Sequence, residues 1–465
     1  MDTTAFWPAL KAKVIQMARL FGTDGVRGAA NHAPMDAMTA FALGQAVTHV
    51  VRPEGRAPVV VVGKDPRISG YMIESALEAG ITSMGGTCYM LGVLPTPGIA
   101  YITESMRADA GFVVSASHNP YTDNGIKVFA GTGFKLSDAD EDRIESLITS
   151  GELPDLVPEP DGMGRAYRLD DVLGRYIVFL KEAFPRSLSL AGVKICMDVA
   201  NGATYKVAPA VYRELGADVT VIHNDPDGRN INDHCGAMHT EDLQQLVVET
   251  GAKIGFAYDG DGDRLIAVDE LGNEVTGDQI LMINALQMKA EGRLANDIVV
   301  STVMSNLGVR VCCDENGITH HATQVGDRYV LEAMQRLGAV IGGEDSGHMI
   351  FLRRHTTGDG ILTSLQLLAC MLKADKPLSE LAKVMTVYPQ EIVNVDVTRK
   401  PNISSVPEIT EAIEAAEAAL GDKGRVLVRY SGTQNMCRVM VEGPDAVTTS
   451  TLANQIADVV REALG

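Results

Sequence analysis

The chain has no Cys-x-x-Cys pair, no long apolar run and no excess of basic charge, and each absence removes a class of function. Its cysteines (Cys88, Cys196, Cys235, Cys312, Cys313, Cys370 and Cys437) are scattered and odd in number. Neither a disulfide framework nor a zinc site follows from them, and buried free thiols are expected. A bilayer-spanning helix needs about 18 or more consecutive apolar residues, and none occurs. The N-terminal stretch does not read as a signal peptide, because Lys11 and Lys13 follow its apolar residues and no small-residue cleavage site comes after them. A cytoplasmic protein with no membrane partner is expected. The formal net charge of −20 argues against nucleic acid, whose recognition normally needs a basic face. Phe21-Gly-Thr-Asp-Gly-Val-Arg-Gly28 is glycine-rich but matches neither the dinucleotide fingerprint nor the P-loop, so NAD and nucleoside triphosphates are unsupported.

What is present is ordinary for a globular protein: 46% hydrophobic and 22% charged residues in 465. That length suggests roughly three domains. Three segments repeat one plan. Pro58–Gly63 reads as a buried strand, Tyr71–Ala79 as a helix and Thr87–Leu91 as a second strand. Val193–Met197, Val207–Leu215 and Asp218–Ile222 follow the same order, as do Asp297–Val303, a short turn of helix and Gly317–Ala322. Continuous apolar strands alternating with helices predict β-α-β units in sheets covered on both faces. The tail differs. Val393, Val395 and Val397 alternate with polar residues, and Pro407–Leu420 places Ile409, Ile413, Ala416 and Leu420 on one helical face with Gly421 as the stop. Two strands (Arg425–Tyr430, Cys437–Val441) and a helix (Val447–Leu464) complete an α+β layout. The expected fold is therefore α/β, with three successive similar α/β domains (1–165, 166–269, 270–385) and a smaller α+β C-terminal domain (386–465). Gly151–Gly162 is a Pro- and acid-rich linker candidate; residues 1–18 read as a peripheral helix, with Met17 as an alternative start.

Asp259-Gly-Asp-Gly-Asp-Arg264 carries the strongest chemical signal. Carboxylates at alternate positions, with glycines that let the loop curl, can converge on one hard divalent cation, Mg²⁺ or Ca²⁺. A calcium EF-hand fails, because its sixth position is Arg264 instead of Gly and Leu265–Val268 continues as a strand. A solvated acidic turn is disfavoured by the mutual repulsion of Asp259, Asp261 and Asp263. Ser117 lies where the apolar strand Val113–Val114 runs into Ser115-Ala-Ser-His-Asn-Pro120. Mere turn chemistry would explain Ser-His-Asn-Pro, and no G-x-S-x-G nucleophile elbow surrounds it. His118 beside it and Lys127 in Asn124-Gly-Ile-Lys127 raise Ser117 above that reading, since a lysine there can neutralise phosphate or act as a base if its pKa is depressed.

Arg429-Tyr-Ser-Gly-Thr433 with Arg438 reads as a phosphate cup: Arg429 and Ser431 share a strand face, Gly432 admits an anion to the backbone, and Thr433 adds a hydroxyl. In Gly343-Glu-Asp-Ser-Gly-His348, Glu344 and Ser346 can hold sugar hydroxyls, although an acidic turn explains the segment equally well. A phosphorylated substrate must find such local cationic sites against a repulsive mean field.

With FGTDGVRG (21–28), SASHNPYTDNGIK (115–127), DGDGDR (259–264), GEDSGH (343–348) and RYSGT (429–433) in this order, the chain resembles the α-D-phosphohexomutase superfamily from Leu20 to its end. The resemblance implies four domains around a central cleft and an intramolecular phosphotransferase acting on a sugar phosphate. Ser117 would be phosphorylated and would join Asp259, Asp261 and Asp263 on Mg²⁺. Arg27, Lys127 and His348, with His118 beside the serine, would move protons or stabilise charge. Glu344 and Ser346 would hold sugar hydroxyls; Arg264, Arg429, Ser431, Gly432, Thr433 and Arg438 would also bind substrate. A hexose or hexosamine 1,6-bisphosphate would serve as intermediate and activator, and the family contains monomers and homodimers. Asp345 and Gln434-Asn435 depart from the family's usual residues. Glucosamine, glucose and mannose phosphates share every motif, and a metal-dependent phosphatase using Asp259 or a silent sugar-phosphate binder are the rival classes.

Overall fold

The computed structural model describes residues 19–22, 24–431 and 435–465; residues 1–18, Thr23 and Gly432–Gln434 lie outside the described residues. The alternative start at Met17 and the peripheral helix expected for residues 1–18 therefore lie outside them too. The first sheet contains β1 (Val26–Ala29), β2 (Val59–Lys64), β3 (Thr87–Val93), β4 (Ala110–Val114), β5 (Asp123–Ala130) and β6 (Ala166–Arg168), in the order β1-β5-β4-β2-β3-β6. β2 pairs in parallel with β3 and β4, as the repeated plan predicts, with helix Gly70–Ser83 between β2 and β3. Val60, Val61 and Val62 are buried, the mark of a strand covered on both faces.

The second sheet runs β11-β10-β9-β7-β8, from β7 (Lys194–Asp198), β8 (Asp218–Ile222), β9 (Ile254–Tyr258), β10 (Leu265–Val268) and β11 (Glu274–Val275). The third contains β12 (Ile298–Thr302), β13 (Thr319–Thr323), β14 (Ile341–Gly343) and β15 (Met349–Phe351), in the order β13-β12-β14-β15. The last, of β16 (Gln390–Asp396), β17 (Arg425–Tyr430) and β18 (Met436–Glu442), is ordered β16-β18-β17 and entirely antiparallel. Ile409, Ala416 and Leu420 of helix Pro407–Leu420 join Ile456 and Val460 of helix Ala446–Leu464 in its core. The fold is thus three α/β domains followed by a smaller C-terminal α+β domain.

Three features differ from the expectation. Each α/β sheet is mixed: β4 and β5, β9 and β10, and β14 and β15 are antiparallel pairs added to the parallel strands. Sheet edges also pass the expected boundaries, since β6 pairs with β3 beyond residue 165 and β11 pairs with β10 beyond residue 269. Finally, the "short turn" after β12 is a nine-residue helix, Leu307–Glu315. Residues 304–320 group with 383–465 in one compact unit, while the rest forms another. In the smaller unit, the Leu307 N–H donates to Glu442 at 3.0 Å and Asn306 Nδ2 to the Tyr388 carbonyl at 2.9 Å. Among the described residues no helix is long and apolar enough to cross a membrane, and all seven cysteines are free and buried.

The antiparallel pairs decide where the chemistry sits. Residues 115–122 join β4 to β5, 259–264 join β9 to β10 and 344–348 join β14 to β15, while Arg429 and Tyr430 close β17, which pairs with β18. Four of the five motifs therefore lie where a strand of an antiparallel pair ends. The fifth supplies β1, where Arg27 lies opposite Gly125 of β5.

Candidate active site

Ser117 is 2% exposed and has a left-handed backbone, φ +52°. A non-glycine residue adopts that conformation only where its surroundings impose it. Its N–H donates to Ser115 Oγ at 2.9 Å, and Ser115 Oγ donates to Asp65 Oδ2 at 2.6 Å. The Ser117 hydroxyl donates to Asp259 Oδ2 at 2.6 Å, and His118 Nδ1 lies 3.5 Å from Ser117 Oγ. The serine motif and the aspartate motif thus meet across 142 residues of sequence.

Asp259, Asp261 and Asp263 each offer a carboxylate oxygen within 4.8 Å of the others, and all three are buried. The glycines are needed for space as well as for curl. A Cβ on Gly260 would lie 2.6 Å from the Ser117 carbonyl oxygen, and Gly262 has φ +74°. Arg264 N–H donates to Asp259 Oδ1 at 3.2 Å, and Thr96 Oγ1 donates to Asp261 Oδ2 at 2.6 Å. Asp261 Oδ1 and Asp263 Oδ1 remain buried without a hydrogen-bond partner. Burial, then repulsion from Asp263 and Asp261, pushes the Asp259 carboxyl well above its ordinary range. Two unmet carboxylate oxygens and one carboxyl unable to ionise freely are what a hard divalent cation would resolve. The donor set fits such an ion, and these three residues could hold it.

Cations surround the cluster. Lys127, opposite Val113 in the β4–β5 pairing, sends Nζ to Asp261 Oδ2 (3.1 Å), Asp24 Oδ2 (3.2 Å) and Asp263 Oδ2 (3.3 Å). Burial opposes its charge, but Asp24, Asp261 and Asp263 outweigh burial and raise its pKa well above the usual value. Of the two roles left open for Lys127, neutralising charge or acting as a depressed base, these neighbours favour the cation. Burial likewise opposes charge on His348, yet Asp263 (3.7 Å) and Asp327 (3.7 Å) lift its pKa to about 9. His118 goes the other way, to about 4, through burial and the charges of Arg264 and Arg27. Arg27 pairs with Asp24 and leaves its buried Nε unbonded.

Glu344 Oε1 accepts from the Gly326 N–H at 3.2 Å, and Ser346 is exposed in the same loop. Arg264 and His348 form an isolated antiparallel bridge, which ties the 344–348 loop to the aspartate loop. In the smaller unit, Arg429 lies opposite Arg438 across β17 and β18, and both line a pocket with Asn394 and Leu427. Burial and the neighbouring Arg438 lower the Arg429 pKa. Ser431 is buried beside them in sequence, its carbonyl accepting from Lys400 Nζ at 2.9 Å. Gly432 and Thr433 lie outside the described residues.

Sequence reasoning missed Thr96, Asp24, Lys135 and Asp327. Lys135 Nζ bridges Asp24 and Asp327, and these two carboxylates in turn reach Lys127 and His348. Each is a single polar residue on a separate element, with no spacing that would single it out. Asp24 alone had a signal, since it lies in the glycine-rich loop with Arg27.

Family models described as phosphoglucomutase/phosphomannomutase match the chain as α/β/α domain I over residues 18–155, domain II over 174–272, domain III over 276–388 and the C-terminal domain over 392–459. A phosphoglucosamine mutase of Syntrophobacter fumaroxidans is 66% identical over 97% of this chain and 100% of its own length. One of Syntrophus aciditrophicus is 58% identical over the same shares. Among solved structures, a phosphoglucomutase/phosphomannomutase family protein of Burkholderia thailandensis superposes with a TM-score of 0.78 at 23% identity, covering 96% of this chain and 97% of that one. The N-acetylphosphoglucosamine mutase of Aspergillus fumigatus, in complex with GlcNAc-6P and magnesium, gives 0.70 at 17% identity over 99% of both chains. At these identities the two structures speak to the fold alone.

Proposed function

Because the chain belongs to the phosphoglucomutase/phosphomannomutase family, we propose that it is a phosphoglucosamine mutase, interconverting glucosamine 6-phosphate and glucosamine 1-phosphate and supplying UDP-N-acetylglucosamine synthesis. The observation that carries the reading is the hydroxyl of Ser117 at 2.6 Å from a carboxylate of a buried three-aspartate cluster that has two unmet oxygens. Ser117 is the phosphoryl carrier. Its P–O bond breaks as the free sugar hydroxyl forms a new P–O bond, giving a 1,6-bisphosphate; the reverse transfer of the other phosphate restores the phosphoserine. Asp259, Asp261 and Asp263 would hold Mg²⁺, which would supply charge neutralisation to the transferring group.

The chain's own groups divide the remaining work. Lys127 and His348, both kept cationic by their carboxylate neighbours, stabilise the phosphoryl oxygens. Neutral His118, beside Ser117 Oγ, is placed to take a proton, and Arg27 adds charge. Glu344 and Ser346 hold sugar hydroxyls, with Arg264 as a further contact. Arg429, Ser431, Gly432, Thr433 and Arg438 grip the phosphate that is not reacting. The rival nucleophile of a phosphatase, Asp259, is covered by the Ser117 hydroxyl. We assign the four functional domains to 1–165, 166–269, 270–385 and 386–465, with edges moved to the sheet ends, and take the protein as cytoplasmic and monomeric or homodimeric. Incubation with glucosamine 6-phosphate, Mg²⁺ and a trace of hexose 1,6-bisphosphate should yield glucosamine 1-phosphate faster than the glucose or mannose phosphates react. Faster turnover of either hexose would move the specificity; net phosphate release without any 1-phosphate would replace the mutase by a phosphatase.

A further inference from the structure

Arg67 is 0% exposed, an unusual position for a guanidinium unless every donor has a use. Its Nε donates to Asp65 Oδ2 at 2.8 Å, and that carboxylate balances its charge. Its Nη2 donates to the carbonyls of Ser117 (2.9 Å) and Asn119 (2.8 Å), and its Nη1 to those of Pro120 and Asp123. Asp65 closes the arrangement, accepting the Ser115 hydroxyl whose oxygen accepts the Ser117 N–H.

A second donor reaches the same two acceptors. Asn232, in a loop following β8, sends Nδ2 to the Ser117 carbonyl at 2.8 Å and to the Asn119 carbonyl at 3.0 Å. A carbonyl oxygen has two lone pairs, so the carbonyls of Ser117 and Asn119 are each saturated by one donor from Arg67 and one from Asn232. The first of these carbonyls belongs to the left-handed residue whose hydroxyl meets Asp259.

We propose that Arg67 and Asn232 are positioning residues that clamp the carbonyls of Ser117 and Asn119 from two sides, holding the serine oxygen in line with the aspartate cluster for phosphoryl transfer. The proposal rests on the phosphoserine reading above and adds what keeps the carrier oxygen in place. Both reach the loop through its backbone carbonyls. Lysine cannot replace Arg67, because one ammonium cannot span a carboxylate and four carbonyls arranged around a planar fork. Aspartate at 232 keeps the shape and tolerates the left-handed backbone, φ +58°, but turns a donor into an acceptor facing two oxygens.

The test uses full-length protein in four forms: wild type, Arg67→Lys, Asn232→Asp and the double variant. Turnover is measured with saturating sugar phosphate and Mg²⁺, and the ³¹P resonance of the phosphoserine is recorded. We expect kcat to fall about 100-fold in Arg67→Lys and about ten-fold in Asn232→Asp, as for a displaced reacting atom. KM should change by less than about two-fold. The ³¹P line should shift or broaden in both, and the double variant should be little worse than Arg67→Lys, because the two residues share acceptors. Should Arg67→Lys lose its fold by circular dichroism, Asn232→Asp decides alone. An Asn232→Asp enzyme with kcat within about two-fold of wild type and an unmoved ³¹P line overturns the clamp. A wild type with neither turnover nor phosphoserine overturns the underlying reading instead, and the clamp with it.

Discussion

Among the described residues, two groups of three possible metal ligands lie at strand ends and loops of the second sheet, and they are built on opposite principles. Asp198, His223 and Cys235 bring carboxylate, imidazole and thiol atoms within 4.8 Å, as Asp259, Asp261 and Asp263 do with carboxylates alone. By ligand type the first group looks the more suitable for a transition metal. Yet Asp198 Oδ1 accepts from the Ala200 N–H, and Oδ2 from the Gly236 N–H and His223 Nδ1, each at 2.9 Å. His223 Nε2 faces Asp242 at 3.4 Å, and burial, followed by the charge of Asp198, pushes the Cys235 thiol up to about 12. That group is already satisfied and serves as a loop fastening. The three aspartates keep two buried oxygens unmet. Unmet lone pairs, more than the identity of the ligands, separate a place for an ion from a packed polar cluster.

The largest effect that would break this contrast is catalytic. Asp261→Ala should lower kcat by about 1,000-fold or more, the scale of losing a principal electrostatic contact, and a steady-state assay that finds an unchanged rate would remove the cluster from the chemistry. At the fastening, Asp198→Ala leaves two backbone N–H groups and an imidazole without their acceptor. It should cost about 3 kcal/mol of stability in urea unfolding, with the Mg²⁺ dependence of the surviving activity unaltered. Mg²⁺ itself should stabilise the wild type by about 2.7 kcal/mol at 100 times its Kd. Thermal melts should show that gain lost in Asp261→Ala and kept in His223→Ala.

A smaller effect is expected where arginines, not carboxylates, face one another across two strands. Arg429→Lys should raise KM about ten-fold with kcat little changed, since lysine lacks the bidentate grip; initial-rate kinetics would show an unchanged KM if the cup is misplaced. The smallest concerns Asp359, fully buried, hydrogen-bonded to Tyr176 and raised to about 7 by burial. Between the ordinary carboxylate range and about pH 7 the folded chain keeps a proton that the unfolded chain has lost, so stability from this group declines as pH rises. Asp359→Asn should narrow the Tm difference between about pH 5 and about pH 8, and an unchanged difference would show that the residue is ionised in the fold.

Much of this was legible before folding, for reasons that differ by element. Helix Pro407–Leu420 follows the predicted bounds because a proline opens it, a glycine closes it and its apolar face repeats at helical spacing. The aspartate loop was legible because alternating carboxylates have few physical uses besides a cation. The antiparallel members of the three α/β sheets were not, since β5, β10 and β15 are buried strands that look like parallel ones in an apolar pattern. The state of Lys127 was hidden for another reason: its charge is fixed by Asp24 and by aspartates more than 130 residues away. Arg67 and Asn232 carry no motif, and only the folded loop reveals that they share acceptors.

The most direct test of the central claim is phosphopeptide mapping of the enzyme after incubation with a hexose 1,6-bisphosphate and Mg²⁺. One phosphate on the peptide containing Ser117, absent in an inactive Ser117→Ala variant, is the predicted result. Phosphate found elsewhere, or a Ser117→Ala enzyme that still interconverts the two sugar phosphates, would contradict it.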